Sequence, residues 1–491
     1  MPRRPTCLPY EATVQNIPLL KKHLVDSFRN TAFNKTFRGT FPKMTGPPMH
    51  IHLKKDAKPK AVFKYIPVPM HMKKPAYQSL MHDVKYRVVE PVPMGEPVEY
   101  CTQELVVPKN TLTEDGEIKV RRVKDFSYLN SQCEREPHVV PTPFNLACQV
   151  PANQYKTVLD AVDGYHSVEL DEESRKLTNF VNEWGVFRCI RSPQGFFSSG
   201  DGYTRRYDMI TKDVPRCKKI VDDTLLHDET IEESYWHTWD YLKLCAENGV
   251  VVNVGKFQFC QTSVTFAGLK LTPNGVAPTD RMLAAIKDFP VPKDITGARS
   301  WFGLVNQVSW AHTITEEMKP FRELIKKNSK FHWSSTLDSL FKKSKELIIS
   351  AVKEGIQAYD PSLHTCVQCD WSRTGIGYLL LQKYCGCQME KAPICCNTGW
   401  KLVYAGSRFT TDPESRYSAT EGEALAVSWS LNHARMFTLG CNNLTVVTDH
   451  KPLLGIMKDC RNLGSISNDR IQRFKEKTLQ SRLITEKFEV S

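Results

Sequence analysis

The chain has 491 residues, 41% hydrophobic and 24% charged, which is room for about three domains with substantial cores. No run approaches the ~20 apolar residues of a membrane span, and Met1-Pro2-Arg3-Arg4 lacks the apolar core of a secretory signal. A membrane-embedded or secreted protein is therefore not expected. The net charge of +12 is local: residues 1–80 carry 15 Lys/Arg against 3 Asp/Glu, and the remainder holds 51 of each sign. Sixteen cysteines without a regular framework point to reduced thiols in a cytosolic or nuclear setting.

In chain order, residues 1–80 are punctuated by Pro and Lys, as in Ile66-Pro67-Val68-Pro69 and Lys73-Lys74-Pro75. This predicts an extended basic lead-in with little helix. Such an arm either attracts polyanions or is a solvated tail. Residues 81–157 read as short strands, including Tyr86-Arg87-Val88-Val89 and Lys119-Val120-Arg121-Arg122-Val123. Within residues 158–275, apolar residues flank Asp222-Asp223 and predict a β-hairpin whose turn carries two carboxylates. Asp160 closes another apolar run, so it is expected at a strand end. Read alone, Val221-Asp222-Asp223 is an ordinary solvated turn. Acids presented on a turn and a strand end can also converge on one point, where hard Mg²⁺ ions accept carboxylate oxygens. Two such ions clamp the attacking and leaving oxygens of a phosphoryl displacement.

Tyr235, Trp239, Leu242 and Ala246 repeat at helical spacing, with Asn248-Gly249 as the stop. Val250 to Val254 is expected as a strand leading to Lys256, and Phe266 to Leu271, Pro273-Asn274-Gly275 and Val276 as a hairpin. Residues 276–354 read as helical. Met282, Ala285, Ile286 and Phe289 share one face, as do Leu337, Leu340, Phe341, Leu347, Ile348 and Val352. Trp301, Phe302 and Trp310 are expected in the core. Residues 355–491 alternate strands and helices: Thr365 to Cys369 ending in Asp370, Gly375 to Leu381, a helix from Glu421 to Phe437, and Leu444 to Thr448 ending in Asp449-His450.

These pieces occur in an order that resembles the reverse transcriptase and ribonuclease H region of gypsy-type LTR retrotransposon polyproteins. The resemblance rests on Arg121 to Asn130, Leu159-Asp160 with Gly164-Tyr165-His166, Leu177-Thr178-Asn179-Phe180 and Trp184-Gly185. It continues through Pro193-Gln194-Gly195, Val221-Asp222-Asp223, Asn248-Gly249 before Lys256-Phe257, Phe266-Ala267-Gly268 and Trp301-Phe302-Gly303-Leu304-Val305. It implies an α+β right-hand polymerase followed by an α/β ribonuclease H-like domain. The implied parts are fingers at 81–157, palm at 158–275, thumb or connection at 276–354, and a ribonuclease H-like domain, shortened at its C-terminus, at 355–491.

The same resemblance implies site roles. Asp160, Asp222 and Asp223 would be the catalytic metal acids. Arg121, and beside it Arg122, would contact the triphosphate, since guanidinium forks match phosphate oxygens. Tyr165 would wall the sugar pocket against a ribose 2′-OH, Gln194 and Gly195 would touch the templating base and nucleotide, and Lys256 would lie near the leaving pyrophosphate. The family usually has a Lys-rich turn before the Arg121 strand. Here Thr111-Leu112-Thr113-Glu114-Asp115-Gly116-Glu117 is acidic. In the tail, Asp370, Glu423 and Asp449 would gather two further Mg²⁺ ions, Glu423 being a better match than Glu421. The family's fourth acid lies in a C-terminal segment that this sequence does not match, and Asp469 does not fit its motif.

The implied activity is RNA-directed DNA polymerisation on an RNA template with a DNA primer and deoxynucleoside triphosphates, with cleavage of RNA in RNA–DNA hybrids left open. A cytoplasmic or virus-like-particle setting with nuclear access, and a possible homodimer, go with it. The alternative is a decayed or host-adopted fragment that only binds nucleic acid. Cys385, Cys387, Cys395 and Cys396 crowd together and are either a Zn²⁺ tetrad or reduced loop thiols.

Overall fold

The computed structural model describes residues 1–34, 41–112, 118–326, 330–387, 395–396, 398–457, 462–479 and 488–489. It divides into two compact units, Met1–Leu146 with Asn153–Ala267, and Ala147–Ala152 with Gly268–Ser491. Residues 113–117, most of the acidic turn singled out above, lie outside the described residues. No described helix is long and apolar enough to cross a membrane.

The first unit is built on an antiparallel sheet in the order Cys217–Ile220, Asp223–Asp228, Tyr155–Asp160, Gln258–Gln261. Thr157, Val158 and Leu159 on one central strand and Leu225 and Leu226 on its neighbour are all buried, as a covered sheet interior requires. The helix Ile231–Glu247 packs against it through Tyr235, Trp239, Tyr241 and Leu242. It starts where the Thr230 side chain accepts from Glu233 N (3.1 Å). It stops at Asn248, because Gly249 takes a left-handed φ of +69° and a Cβ there would lie 2.0 Å from Lys43 O. Val250 to Val254 is not a strand: only a single bridge, Ala161 to Val252, forms, and Val254–Lys256 is a 3-10 turn capped by the Asn253 side chain. A second sheet runs Val89–Pro91, Gly185–Cys189, Phe180–Asn182, Thr102–Leu112, Ile118–Lys124 over its own core of Phe126, Leu129, Phe180 and Phe196.

The expectation of a lead-in with little helix is corrected. Ile17–Phe28 is an α-helix, and Lys73–Lys85 is another. Pro18 stands in the first turn of the former, where its missing N–H leaves no helical bond unmade. Leu20, Leu24 and Phe28 recur every four residues as a fully buried stripe, and the Phe28 ring meets Trp239 edge-on at 4.9 Å. Punctuation by Pro and Lys hid an amphipathic helix that belongs to the polymerase-side core.

In the second unit, the strands Leu269–Leu271 and Gly275–Pro278 pair as a hairpin, and Ile356–Gln357 adds to Gly275–Pro278. Trp301 and Phe341, from the helices Ile295–Asn306 and Ser335–Val352, pack edge to face at 4.9 Å. The remaining sheet runs Trp400–Phe409, Gly375–Lys383, Thr365–Trp371, Leu444–Val447, Phe488–Glu489. Its first three strands are antiparallel and Leu444–Val447 joins in parallel. The helix Ala419–His433 covers it and the helix Asp469–Thr478 packs on that helix.

Leu24→Ala removes a fully buried side chain from the first core and should destabilise the chain by about 2–5 kcal/mol. Urea unfolding followed by tryptophan fluorescence, which Trp239 reports, checks this; an unchanged midpoint would mean that the helix is only loosely attached.

Candidate active sites

The first site begins with a turn. Ile220 pairs with Asp223, so Val221 and Asp222 form a two-residue hairpin turn. Val221 adopts a left-handed φ of +49°, a conformation that costs a β-branched residue about 1–3 kcal/mol. The turn is held by Ala161 N donating to Asp222 O (2.9 Å) and by Lys219 Nζ donating to Val221 O (3.3 Å). The register then places Asp160 directly opposite Asp223, and the Asp160 carbonyl accepts from Asn253 N (2.8 Å). The corner and the strand end thus present Asp160, Asp222 and Asp223 to one another.

Their electrostatics follow from that crowding. Burial, then the neighbouring Asp160, push the Asp223 carboxyl up to about 6. Burial raises Asp222 as well, partly opposed by Tyr203. The Tyr203 hydroxyl is buried without a hydrogen-bond partner among the described residues, and it lies beside Asp222. Gly164 makes this approach possible: a Cβ there would sit 2.3 Å from the Tyr203 ring. No motif marks Tyr203; the Gly164-Tyr165 pair is the only trace it leaves in the sequence. Lys256 Nζ donates to Asp160 Oδ1 at 3.0 Å, so this ammonium sits on the first acid itself.

The other expected residues separate. Tyr165 is half-buried, edge-on to Tyr203 with ring centroids 5.8 Å apart, and close enough to Asp222 to feel its charge. Gln194 and Gly195 are exposed. Gly195 has φ +96°, and its carbonyl accepts from Asn130 Nδ2 (3.0 Å) while Asn130 Oδ1 accepts from Phe197 N (3.1 Å). Asn130, quoted above only as part of a motif, therefore pins this loop. Arg121 is exposed on its strand. The expectation for Arg122 is corrected: alternation along the strand turns it inward, where it is buried against Glu104 (3.2 Å), Asp83 and Ser79 (3.3 Å). It is a structural ion-pair residue, not a free fork for a triphosphate.

The second site lies in the other unit. Thr365–Trp371 and Leu444–Val447 pair in parallel, Gln368 opposite Val447, so that Asp370 and Asp449 emerge together from neighbouring strand ends. Glu423, on the helix above, brings its carboxylate to them, and one oxygen from each of the three lies within 4.8 Å of the others. Among the described acids this is the tightest such trio; Asp160, Asp222 and Asp223 are more loosely gathered. Glu423 is buried, and its Oε2 has no hydrogen-bond partner among the described residues, while Oε1 accepts from Trp371 N (3.3 Å). Burial first, then Asp370 and Asp449, push Glu423 up to about 8. Burial and Asp449 raise Asp370. Gly422 lets the Trp371 ring lie against the helix, since a Cβ would meet it at 2.2 Å. Glu421 instead closes the capping box with Ser418 and pairs with Arg470 (2.8 Å). Asp370 and Asp449 line a cleft of about 310 Å³ together with Glu316, an acid that no motif marks and whose charge also raises Asp370. Asp469 begins the helix Asp469–Thr478 and is not in this group.

A carboxyl whose folded-state pKa is raised destabilises the fold as it ionises. The penalty is absent below the ordinary Glu range of about 4.3 and complete once the pH exceeds Glu423's value. In EDTA, wild type should therefore lose thermal stability as pH rises from about 4 to about 8, the value that Glu423 reaches. Glu423→Gln should flatten that slope, and Mg²⁺ should stabilise wild type more than the variant. Parallel slopes for the two proteins in scanning calorimetry would contradict this.

Comparison with known proteins identifies the two domains that hold these acids. Residues 113–271 match the family described as reverse transcriptase (RNA-dependent DNA polymerase). Residues 360–481 match the RNase H-like domain found in reverse transcriptase. The retrovirus-related Pol polyprotein from transposon 412 of Drosophila melanogaster is 27% identical over 373 residues, 75% of this chain and 29% of that protein. The corresponding polyprotein from transposon gypsy is 25% identical, over 82% of this chain and 39% of its own length. The chain thus spans well under half of these relatives. Among solved structures, the foamy viral protease-reverse transcriptase dRH in complex with double-stranded DNA superposes with a TM-score of 0.78 at 18% identity, covering 100% of this chain and 84% of that one. The foamy viral protease-reverse transcriptase in complex with RNA/DNA hybrid gives 0.70 at 18% identity, over 96% and 62%. At that identity the likeness is one of fold: a right-hand polymerase with a ribonuclease H-like domain. The chain thus carries a reverse transcriptase domain at 113–271 and, later in the sequence, an RNase H-like domain at 360–481, and Pol polyproteins of gypsy-type transposons are among its relatives.

Proposed function

We propose that the chain is an RNA-directed DNA polymerase working by two-metal nucleotidyl transfer, with an attached ribonuclease H-like domain that cleaves RNA in RNA–DNA hybrids. The observation that carries the polymerase reading is the rung that sets Asp160 against Asp223 with Asp222 in the adjoining strained turn. The fingers would span 81–157, the palm 158–275 and the thumb 276–354. An RNA template, a DNA primer and deoxynucleoside triphosphates would be its partners, in keeping with the nucleic-acid complexes of the foamy viral structures. Work on RNA templates suits a cytoplasmic particle.

Both donor sets fit hard divalent cations: at the first, crowding and burial raise Asp223 despite the single ammonium of Lys256, and at the second the buried Glu423 Oε2 has no partner among the described residues. Asp160 and Asp222, supported by Asp223, would hold two Mg²⁺ ions, and Asp370, Glu423 and Asp449 two more. When bound, Mg²⁺ supplies stabilisation of negative charge at the reacting phosphate. The chain's own residues do the rest. Tyr203 lies buried beside Asp222, and the Tyr165 ring narrows the space beside the acids against a ribose 2′-OH. The exposed Gln194-Gly195 loop, pinned by Asn130, offers backbone to the templating pair. Arg121 is exposed for the triphosphate. Lys256 holds Asp160 in place and, being exposed, is free to turn toward the leaving pyrophosphate.

Primer extension on an RNA template should fall by about 10²-fold or more in Asp222→Asn. Extension equal to wild type would end the reading, and tight nucleic-acid binding by a wild type that extends on neither template would favour the binding-only fragment. Tyr165→Ala should raise ribonucleotide relative to deoxynucleotide incorporation by about 10–200-fold, measured by competition on one template. An unchanged ratio would remove Tyr165 from the sugar pocket. Hybrid cleavage lost in Asp370→Asn with extension intact would assign the second site.

A further inference from the structure

A cluster of four thiols stands apart from both sets of acids. Cys385 and Cys387 follow the strand Gly375–Lys383, and Cys395 and Cys396 precede the strand Trp400–Phe409. All four are half-buried, and their Sγ atoms lie within 4.8 Å of one another. Cys385 Sγ and Cys395 Sγ are 3.4 Å apart, too far for a disulfide bond of ~2.05 Å. Sulfur atoms around a tetrahedral zinc with Zn–S bonds of ~2.3 Å are separated by ~3.8 Å. The 3.4 Å separation and the 4.8 Å limit on the others are compatible with that distance.

Two further features point to a built site. The Trp400 indole Nε1–H donates to Cys395 Sγ at 3.1 Å, the kind of outer contact that orients a thiolate ligand and offsets its charge. Gly399 passes directly over two of the sulfurs: a Cβ there would lie 2.4 Å from both Cys385 Sγ and Cys396 Sγ. The backbone is locked across the gap by Tyr384 N donating to Gly399 O (2.7 Å), and Lys383 Nζ donates to Cys387 O (2.6 Å), bringing a positive charge beside the cluster.

We propose that Cys385, Cys387, Cys395 and Cys396 form a structural zinc site that staples the adjoining ends of these two strands of the ribonuclease H-like sheet. Thiolate donors select zinc over the hard ions suited to the carboxylate sites. Binding is a ligand exchange without redox change: four thiols release four protons to solvent, and Zn²⁺ with four thiolates leaves a centre of charge −2. The role is structural by position. Asp370 pairs with Gly377, and the strand continues to Lys383 before the first cysteine, a run of ~20 Å away from the acids. Four protein ligands also leave no open coordination position for chemistry.

The full chain, purified in reductant without chelator, should carry about one zinc per molecule by elemental analysis. After stripping, added Co²⁺ should give the intense visible bands and thiolate charge-transfer absorption of a tetrahedral tetrathiolate. Cys385→Ser and Cys396→Ser should each lower zinc content at least about tenfold, whereas Cys7→Ser, an exposed cysteine in the other unit, should leave it unchanged. The cobalt titration needs only wild type, so a variant that fails to fold does not decide the matter. The proposal is overturned by wild type that binds neither metal while these thiols react as fast as Cys7, by an intact mass showing disulfides, or by zinc retained in the Cys385→Ser/Cys396→Ser double variant. Loss of extension activity with zinc still bound would count against the polymerase reading and not against this one.

Discussion

One rung of a β-ladder organises the polymerase-side unit. Pairing Tyr155–Asp160 with Asp223–Asp228 in this register sets two carboxylates face to face, and the two-residue turn adds a third. A one-residue slip would send Asp223 to the opposite face of the sheet and bury a charge among Leu159, Leu226 and Trp239. The register is therefore enforced by the packing of the buried residues on both strands, not by the acids, which repel each other. The left-handed Val221 shows the cost: the turn that presents Asp222 is not one that a valine adopts freely. Packing of the sheet against Tyr235, Trp239 and the helix Ile17–Phe28 supplies the stability that sustains it.

The ribonuclease H-like unit solves the same problem with different elements. Parallel pairing of two strands brings Asp370 and Asp449 side by side, and a helix lowers a buried glutamate onto them. In both places protein burial and like charge hold carboxyls in a state that a divalent cation would relieve. The second trio is the tighter and the more strongly perturbed, because Glu423 is buried on a helix while Asp160, Asp222 and Asp223 lie at a hairpin corner and keep Lys256 for company.

Charges along the chain divide into two classes that composition does not distinguish. Lys256 remains exposed beside Asp160, and Arg121 remains exposed on its strand. Arg122, adjacent to Arg121, is spent inside the fold on Glu104 and Asp83. Glycines show a similar division: Gly164 and Gly422 each admit an aromatic ring beside a clustered acid, and Gly399 admits two sulfurs.

The order of motifs, the hairpin around Asp222-Asp223, the buried helix at Tyr235 to Ala246 and the strand ends at Asp370 and Asp449 were legible in the sequence, because each is a local pattern: apolar periodicity, a turn, a stop. Glu423, which the motif favours, lies with Asp370 and Asp449, whereas Glu421 closes the helix cap. What tertiary structure alone decided were matters of partner and direction. The helix Ile17–Phe28 was masked by Pro18 and the surrounding lysines, and only its burial against Trp239 reveals what it is for. Arg122 was assigned to phosphate because a strand's two faces look alike until one of them is covered. Tyr203, Asn130 and Glu316 carry no local signature, since their relation to the acids spans long stretches of chain and exists only once the sheets have formed. Four cysteines in irregular spacing were equally silent about whether their sulfurs meet; the pairing of two strands, and a glycine small enough to pass above them, brings them together.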